Sequence, residues 1–325
     1  MKQPETAFET MNRFGRNRIP FLFVIDFECA QPLVLPLSQA EEKGILFNVR
    51  GRSNNSEKSV LNPAPLQFER FPVDFSTYSS AFNLVKKEIR FGNSYLLNLT
   101  FRTPISINRS LKEIFQLSQA PYKLLFRDEF TVFSPECFIK IDNNLIHSFP
   151  MKGTIDAGLD NAAALLIADH KELAEHNTIV DLIRNDLSMV ATEVRVNRFR
   201  YLDEIKTNRR HLLQASSEIS GKLKDNWQEE IGSILQTLLP AGSISGAPKK
   251  KTVEMIKQAE THGRGYYSGI FGIFDGESLD SGVMIRFIEK QNGQFFFRSG
   301  GGITVNSLAL NEYNEMIDKI YVPFV

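Results

Sequence analysis

Tryptophan occurs once in these 325 residues and cysteine twice. Cys29 and Cys137 are too few for a disulfide scaffold, and they suit a reducing compartment. Neither sign of charge is in surplus, because 38 basic and 38 acidic residues cancel. That balance leaves no basic face for nucleic acid and no acidic tail. No apolar run approaches the roughly 18 residues that a membrane span needs. The opening stretch MKQPETAFETMNRFGRNR has no apolar core ahead of a small-residue cleavage site, so no secretory signal is expected. His147, His170, His176, His211 and His262 lack the spacing of an HExxH zinc motif and read as structural or surface residues. Neither a strand–GxGxxG–helix nor a Walker loop is present, which sets aside a dinucleotide fold and a P-loop. The expectation is a soluble cytoplasmic protein with no nucleic-acid and no membrane partner.

What is present is ordinary globular material, 42% apolar and 23% charged. No repeat and no Pro/Gly/Ser linker divides it. The polar stretch 51-GRSNNSEKSV-60 is the best candidate boundary, and a single large domain over 1–325 is expected. Apolar runs at 21–27, 94–102, 130–133, 137–141 and 145–149 read as strands, with 142-DNN-144 as a hairpin turn. Helical spacing covers 79–90, 161–187 with a break near Asp169, 227–238, 249–260 and 308–320. Three further strand runs, 267–274, 281–289 and 294–298, are joined by the turns 275-DGES-278 and 291-QNG-293. Hairpin-joined strands with separate helices favour an α+β fold over a doubly wound one.

Six stretches could carry chemistry. Glu172 with Glu175, and Glu312 with Glu315, are E-x-x-E pairs, each on one helix face. Two such faces meeting would suit Mg2+, a hard cation, while each alone is also what a solvated helix face carries. The loop 240-PAGSISGAPKKKTVEMI-256 either receives an anion or is an ordinary turn before a helix. The glycines of 299-SGGGITVNS-307 allow close backbone approach to a ligand or a simple bend. Arg286 ends a strand run, as a carboxylate fork or as a surface residue. Lys152, in 148-SFPMKGTIDA-157, sits either on a surface turn or on a rigid bend as a nucleophile.

The order of these stretches is more specific than any one of them. SPECF, FPMKGT, EHNTIVDLIRNDL, PAGSISGAPK, GRGYYSGIFG, MIRF, SGGGI and NEYNEMIDK together resemble the chorismate-utilising enzymes. That family includes anthranilate synthase component I, aminodeoxychorismate synthase component I, and the isochorismate and salicylate synthases. The match covers about 75–325 and leaves a shortened N-terminal part of about 1–75. The resemblance implies two packed antiparallel β-sheets with outer helices in one α+β unit. It also implies chorismate as substrate and Mg2+ as cofactor.

Carried over residue by residue, Glu175 and Glu315 resemble direct Mg2+ ligands, with Glu172 and Glu312 supporting them. Tyr267, Arg286, Gly300, Gly302 and Lys319 resemble the grip on substrate carboxylates. Ser245 stands where relatives often have threonine, and Gly153 and Thr154 resemble lining of the same cavity. Relatives that make anthranilate resemble P-I-A-G-T around position 152, and aminodeoxychorismate synthases resemble P-I-K-G-T. This chain reads P-M-K-G-T. The isochorismate and salicylate synthases take a water-activating lysine from an earlier strand, near Leu96 here.

The resemblance therefore implies an aminodeoxychorismate synthase on the route to 4-aminobenzoate and folate. Lys152 would be the nucleophile, its pKa lowered by burial beside Mg2+, and Glu136 the acid. Ammonia would come from solution or from a glutamine amidotransferase subunit. The alternatives are anthranilate synthase, or a non-catalytic chorismate-binding subunit. Two departures stand out. Gln214 replaces the histidine usual three residues before the serine of an H-L-V-S-like strand, and no L-L-E-S-like motif precedes it, so tryptophan binding is not expected.

Overall fold

The computed structural model describes residues 5–55, 64–206 and 211–324. Two antiparallel sheets of nine strands each form its centre. The first runs Met151–Asp156, His211–Lys222, Leu145–Ser148, Cys137–Asp142, Leu279–Val283, Ile270–Phe274, Phe21–Ile25, Leu33–Pro36. Thr192–Lys206 pairs with His211–Lys222 beside that path. The second runs Gly246–Ala247, Leu96–Ile107, Gln294–Ile303, Phe287–Gln291, Phe130–Ser134, Tyr122–Phe126, Ile45–Val49, Arg52–Ser53, with Phe68–Arg70 on Leu96–Ile107.

Side-chain alternation explains the layering. Along Phe21–Ile25, Leu22 and Val24 face an inner core shared with Phe47, Leu124, Phe130 and Val132 of the second sheet. Phe21, Phe23 and Ile25 face outward into a core with Trp227, Ile231 and Leu235. Both faces of Phe21–Ile25 are covered, so this strand reads as an unbroken apolar run. Helices Phe75–Arg90, Lys249–Ala259 and Ala309–Asp318 supply residues that cover the second sheet's outer face around Leu97, Leu99 and Phe101. The architecture is the α+β one expected, with sheets inside and helices outside. No helix among the described residues is long and apolar enough to cross a membrane.

Local chemistry sets the element ends. Asp74 caps Phe75–Arg90 by accepting from Thr77 N–H. The helical run after 161 splits into Ala162–Ala168 and His170–Ser188, because Asp169 is extended and caps the second helix. Asn143 and Asn144 both have positive φ, the backbone of a two-residue hairpin turn.

One expected strand is corrected: 281–289 is two strands. Leu279–Val283 lies in the first sheet and Phe287–Gln291 in the second, with Arg286 between them at φ +51°. An apolar run crossing from one buried sheet to another has the pattern of a single strand. Several elements were not expected from the sequence, among them the helix Ala7–Arg16, although a Thr6–Glu9 capping box opens it and Phe8, Met11 and Phe14 recur at helical spacing, and the long antiparallel pair Thr192–Lys206 with His211–Lys222. From residue 56 on, the candidate boundary loop 51–60 lies outside the described residues.

Helix Ala7–Arg16 packs on Ile231–Leu238 through glycines at the contact. A methyl group on Gly232 would lie 2.0 Å from the Phe8 carbonyl oxygen, and Gly232 N–H donates to Asn12 Oδ1 at 2.7 Å. Gly232→Ala is expected to lower unfolding stability by about 3 kcal/mol, since backbone must move to admit the methyl. Urea denaturation measures it; an unchanged midpoint would mean that the helix does not seat there.

Candidate active site

The chain crosses from sheet to sheet at two adjacent links. One joins Phe130–Ser134 to Cys137–Asp142 and carries Glu136; the other joins Leu279–Val283 to Phe287–Gln291 and carries Arg286. The links are hydrogen-bonded, Val283 N–H to Glu136 O and Phe133 N–H to Arg286 O, both at 3.1 Å. A cavity of about 150 Å³ opens beside them. Glu136, Lys152, Glu175, Ser243, Glu315 and Lys319 all face it.

Lys152 reaches the cavity because its strand is bulged. The pairing of Met151–Asp156 with His211–Lys222 slips between Met151 and Thr154, and Gly153 there has φ +90°. A side chain at 153 would also press on Leu166 and on Glu172 Oε2, at 3.1 and 3.3 Å from the Cβ position. The Lys152 ammonium lies 2.7 Å from Glu175 Oε2. Behind it, His176 is fully buried with Nε2 2.6 Å from Ser217 Oγ. That hydroxyl also accepts from Arg200 N–H at 3.0 Å. Burial lowers the His176 pKa, with Arg200 acting the same way.

The opposite wall comes from the C-terminal helix and the glycine strand. Lys319 Nζ lies 2.7 Å from Glu315 Oε1 and donates to Gly300 O at 2.9 Å. Glu312, Glu315 and Lys319 all approach Gly301, within 3.4 to 3.8 Å of where a Cβ would stand. A side chain there would fill the space into which they project.

Electrostatics tie the two acidic helices together. Burial works against the charge of Lys152, but Glu175, Glu172 and Glu315 outweigh it and hold its pKa above the ordinary lysine value. The side chains alone thus do not give the depressed amine expected from the sequence, because carboxylates surround it. Burial raises Glu172 and Glu312. Burial also pushes Glu315 up, yet Lys319 outweighs it and the carboxyl ends below its usual value. Desolvation lowers Lys319 despite Glu315. Glu136 is raised by burial, with Ser243, Arg286 and Lys319 pulling the other way.

The donor set suits a hard cation: four carboxylates, with Glu172 Oε2 buried and without a hydrogen-bond partner. Among the described residues no three acidic, histidine or cysteine side chains converge on one point. Lys152 and Lys319 take up Glu175 and Glu315 instead.

Other expected site residues sit differently. Gly302 lines the cavity, and so does Leu96. Thr154 is exposed and pairs with half-buried Gln214 across the strands, outside the cavity wall. Ser245 is fully buried, and its hydroxyl donates to Ala241 O at 2.8 Å. Tyr267 is buried edge-on against Phe287, and Arg286 lies over the Tyr321 ring. Neither is in the wall, although Arg286 is near enough to act on Glu136 and Tyr267. Sequence reasoning missed Ser243, which donates to Glu136 Oε1 at 2.6 Å. It stands in the same loop as Ser245, and only the turn's three-dimensional course separates the two hydroxyls.

Residues 30–324 match the family of chorismate binding enzymes. An uncharacterized PabA-like protein of Haemophilus influenzae is 54% identical over 97% of this chain and 95% of its own. Aminodeoxychorismate synthase component 1 of Bacillus subtilis is 32% identical over 77% of this chain, which spans 55% of that synthase. Among solved structures, anthranilate synthase component I from Streptococcus pneumoniae superposes with a TM-score of 0.66 at 26% identity, over 80% of this chain and 59% of its own.

Proposed function

This chain belongs to the chorismate-binding enzymes, and on that premise we propose that it converts chorismate and ammonia to 4-amino-4-deoxychorismate. The observation that carries this reading is the presence of Lys152 and Glu136 in one cavity, with acidic side chains from two separate helices. Leu96, near where water-activating relatives have lysine, gives that wall an apolar surface. Water is therefore not activated there, and an amine is the nucleophile.

The steps follow from the residues present. The substrate carboxylates are held near Lys319 and the glycine strand. Lys152, as the free amine, forms a bond to ring carbon C2 as the C4–oxygen bond breaks, and the two conjugated ring double bonds each move one position, through C1, C6 and C5, towards C4. Glu136 gives its proton to the departing oxygen, which leaves as water rather than hydroxide. The attached lysine stays as the ammonium. Ammonia then bonds to C4, the double bonds shift back, and the lysine leaves C2 with the electron pair as the neutral amine; the proton shed by the new C4 ammonium group returns to Glu136. Glu175 and Glu315, with Glu172 and Glu312, would hold Mg2+, which supplies charge neutralisation at the substrate carboxylate and lifts the acidic field from Lys152. The ammonia comes from solution or from a glutamine amidotransferase subunit.

Incubation with chorismate, Mg2+ and ammonium, followed by mass spectrometry of the small-molecule product, tests the proposal. The expected product is the 4-amino compound with its enolpyruvyl group retained. An ortho-amino aromatic product with free pyruvate would assign the chain to anthranilate formation, and ligand binding without turnover would make it a non-catalytic subunit.

A further inference from the structure

The segment PAGSISGAPK forms one tight turn fixed at both ends. Asp186, buried at the end of helix His170–Ser188, pairs with Lys249 at 2.9 Å, and Lys249 also donates to Leu238 O at 2.7 Å. A methyl on Gly242 would come within 2.7 Å of Asp186 Oδ2, so the turn packs directly on that helix. On the other side the buried Arg264 guanidinium donates to Ile244 O at 2.9 Å, to Asn98 O at 2.6 Å and to Glu260. Ser245 is committed to Ala241 O. The hydroxyl left facing the cavity is that of Ser243, 2.6 Å from Glu136 Oε1.

We propose that Ser243 is the positioning residue for the Glu136 proton donor: its hydroxyl anchors Oε1 and leaves Oε2 as the oxygen that delivers the proton. This rests on the reading of Glu136 as the acid. The clamp by Asp186–Lys249 and Arg264 makes the anchor rigid, so the carboxyl keeps one rotamer at the seam between the sheets.

The charged and titratable groups facing Glu136 are Arg286 from the neighbouring link, Lys319 from the C-terminal helix and Cys137 beside it in sequence. Burial raises the carboxyl, while the Ser243 hydrogen bond and the two cations lower it. Without the Ser243 hydroxyl, burial is less opposed and the carboxyl gives up its proton at higher pH. The limb of the kcat/KM profile where the acid form is lost then moves upward.

For Ser243→Ala we expect that limb to rise by about half to one pH unit, with kcat about tenfold lower and KM for chorismate within about twofold. Ser243→Thr keeps the donor and should restore both. A limb unchanged or shifted downward in the alanine variant would overturn the proposal, as would a threonine variant behaving like alanine. Glu136→Gln is run in parallel: if that limb persists in it, the fault lies with the acid assignment rather than with Ser243. Thermal midpoints confirm that each variant is folded.

Discussion

Lys152→Ala is expected to reduce chorismate amination by on the order of 10³-fold or more, because the alanine enzyme loses the covalent route altogether. The effect should fall on kcat. Chorismate affinity should change little, since Lys319 and the glycine strand remain. A second readout separates nucleophile from charge partner. With chorismate and Mg2+ but no ammonium, the parent protein should gain the mass of chorismate less one water, located at Lys152 by peptide mapping. The alanine variant should gain nothing. Lys152→Arg keeps a cation against Glu175, which lies 2.7 Å from the lysine nitrogen, but cannot become a neutral nucleophile. It should therefore be as inactive as alanine. Full turnover in either variant would refute the covalent role.

Glu136→Gln should lower kcat by about 10²–10⁴-fold, the usual worth of a positioned proton donor. The amide has the carboxyl's shape and can still accept from Ser243, 2.6 Å away in the parent, so the change removes the proton and little else. Hydroxide is then left as the departing group. Adduct formation on Lys152 should slow by the same factor, because both events belong to one step. The limb of the pH profile assigned to loss of the acid form should vanish as well. Glutamine activity within twofold of the parent would show that another group, or solvent, protonates the leaving oxygen.

The sequence by itself was informative wherever local pattern governs. The unbroken apolar run Phe21–Ile25, the hairpin at Asn143–Asn144 and the helix break at Asp169 follow from periodicity, turn chemistry and capping. So did the ordered motifs that contain Glu136, Lys152 and the two glutamate pairs. The run 281–289 misled because two buried strands in different sheets share one apolar pattern. Thr154 and Ser245 were placed at the site by the family resemblance of their motifs. A bulge at Gly153 and a clamped turn at 241–247 then sent their side chains elsewhere.

Which residue types are available was therefore written in the chain: an amine, an acid, four carboxylates and a hydroxyl-rich loop. Which of them share one cavity was decided only by the tertiary structure. Two links crossing between sheets, a one-residue slip in strand pairing and a turn held by buried ion pairs set their directions. Those are contacts between segments up to about a hundred residues or more apart, as between Glu136 and Ser243, and no local pattern encodes the angle at which such segments meet.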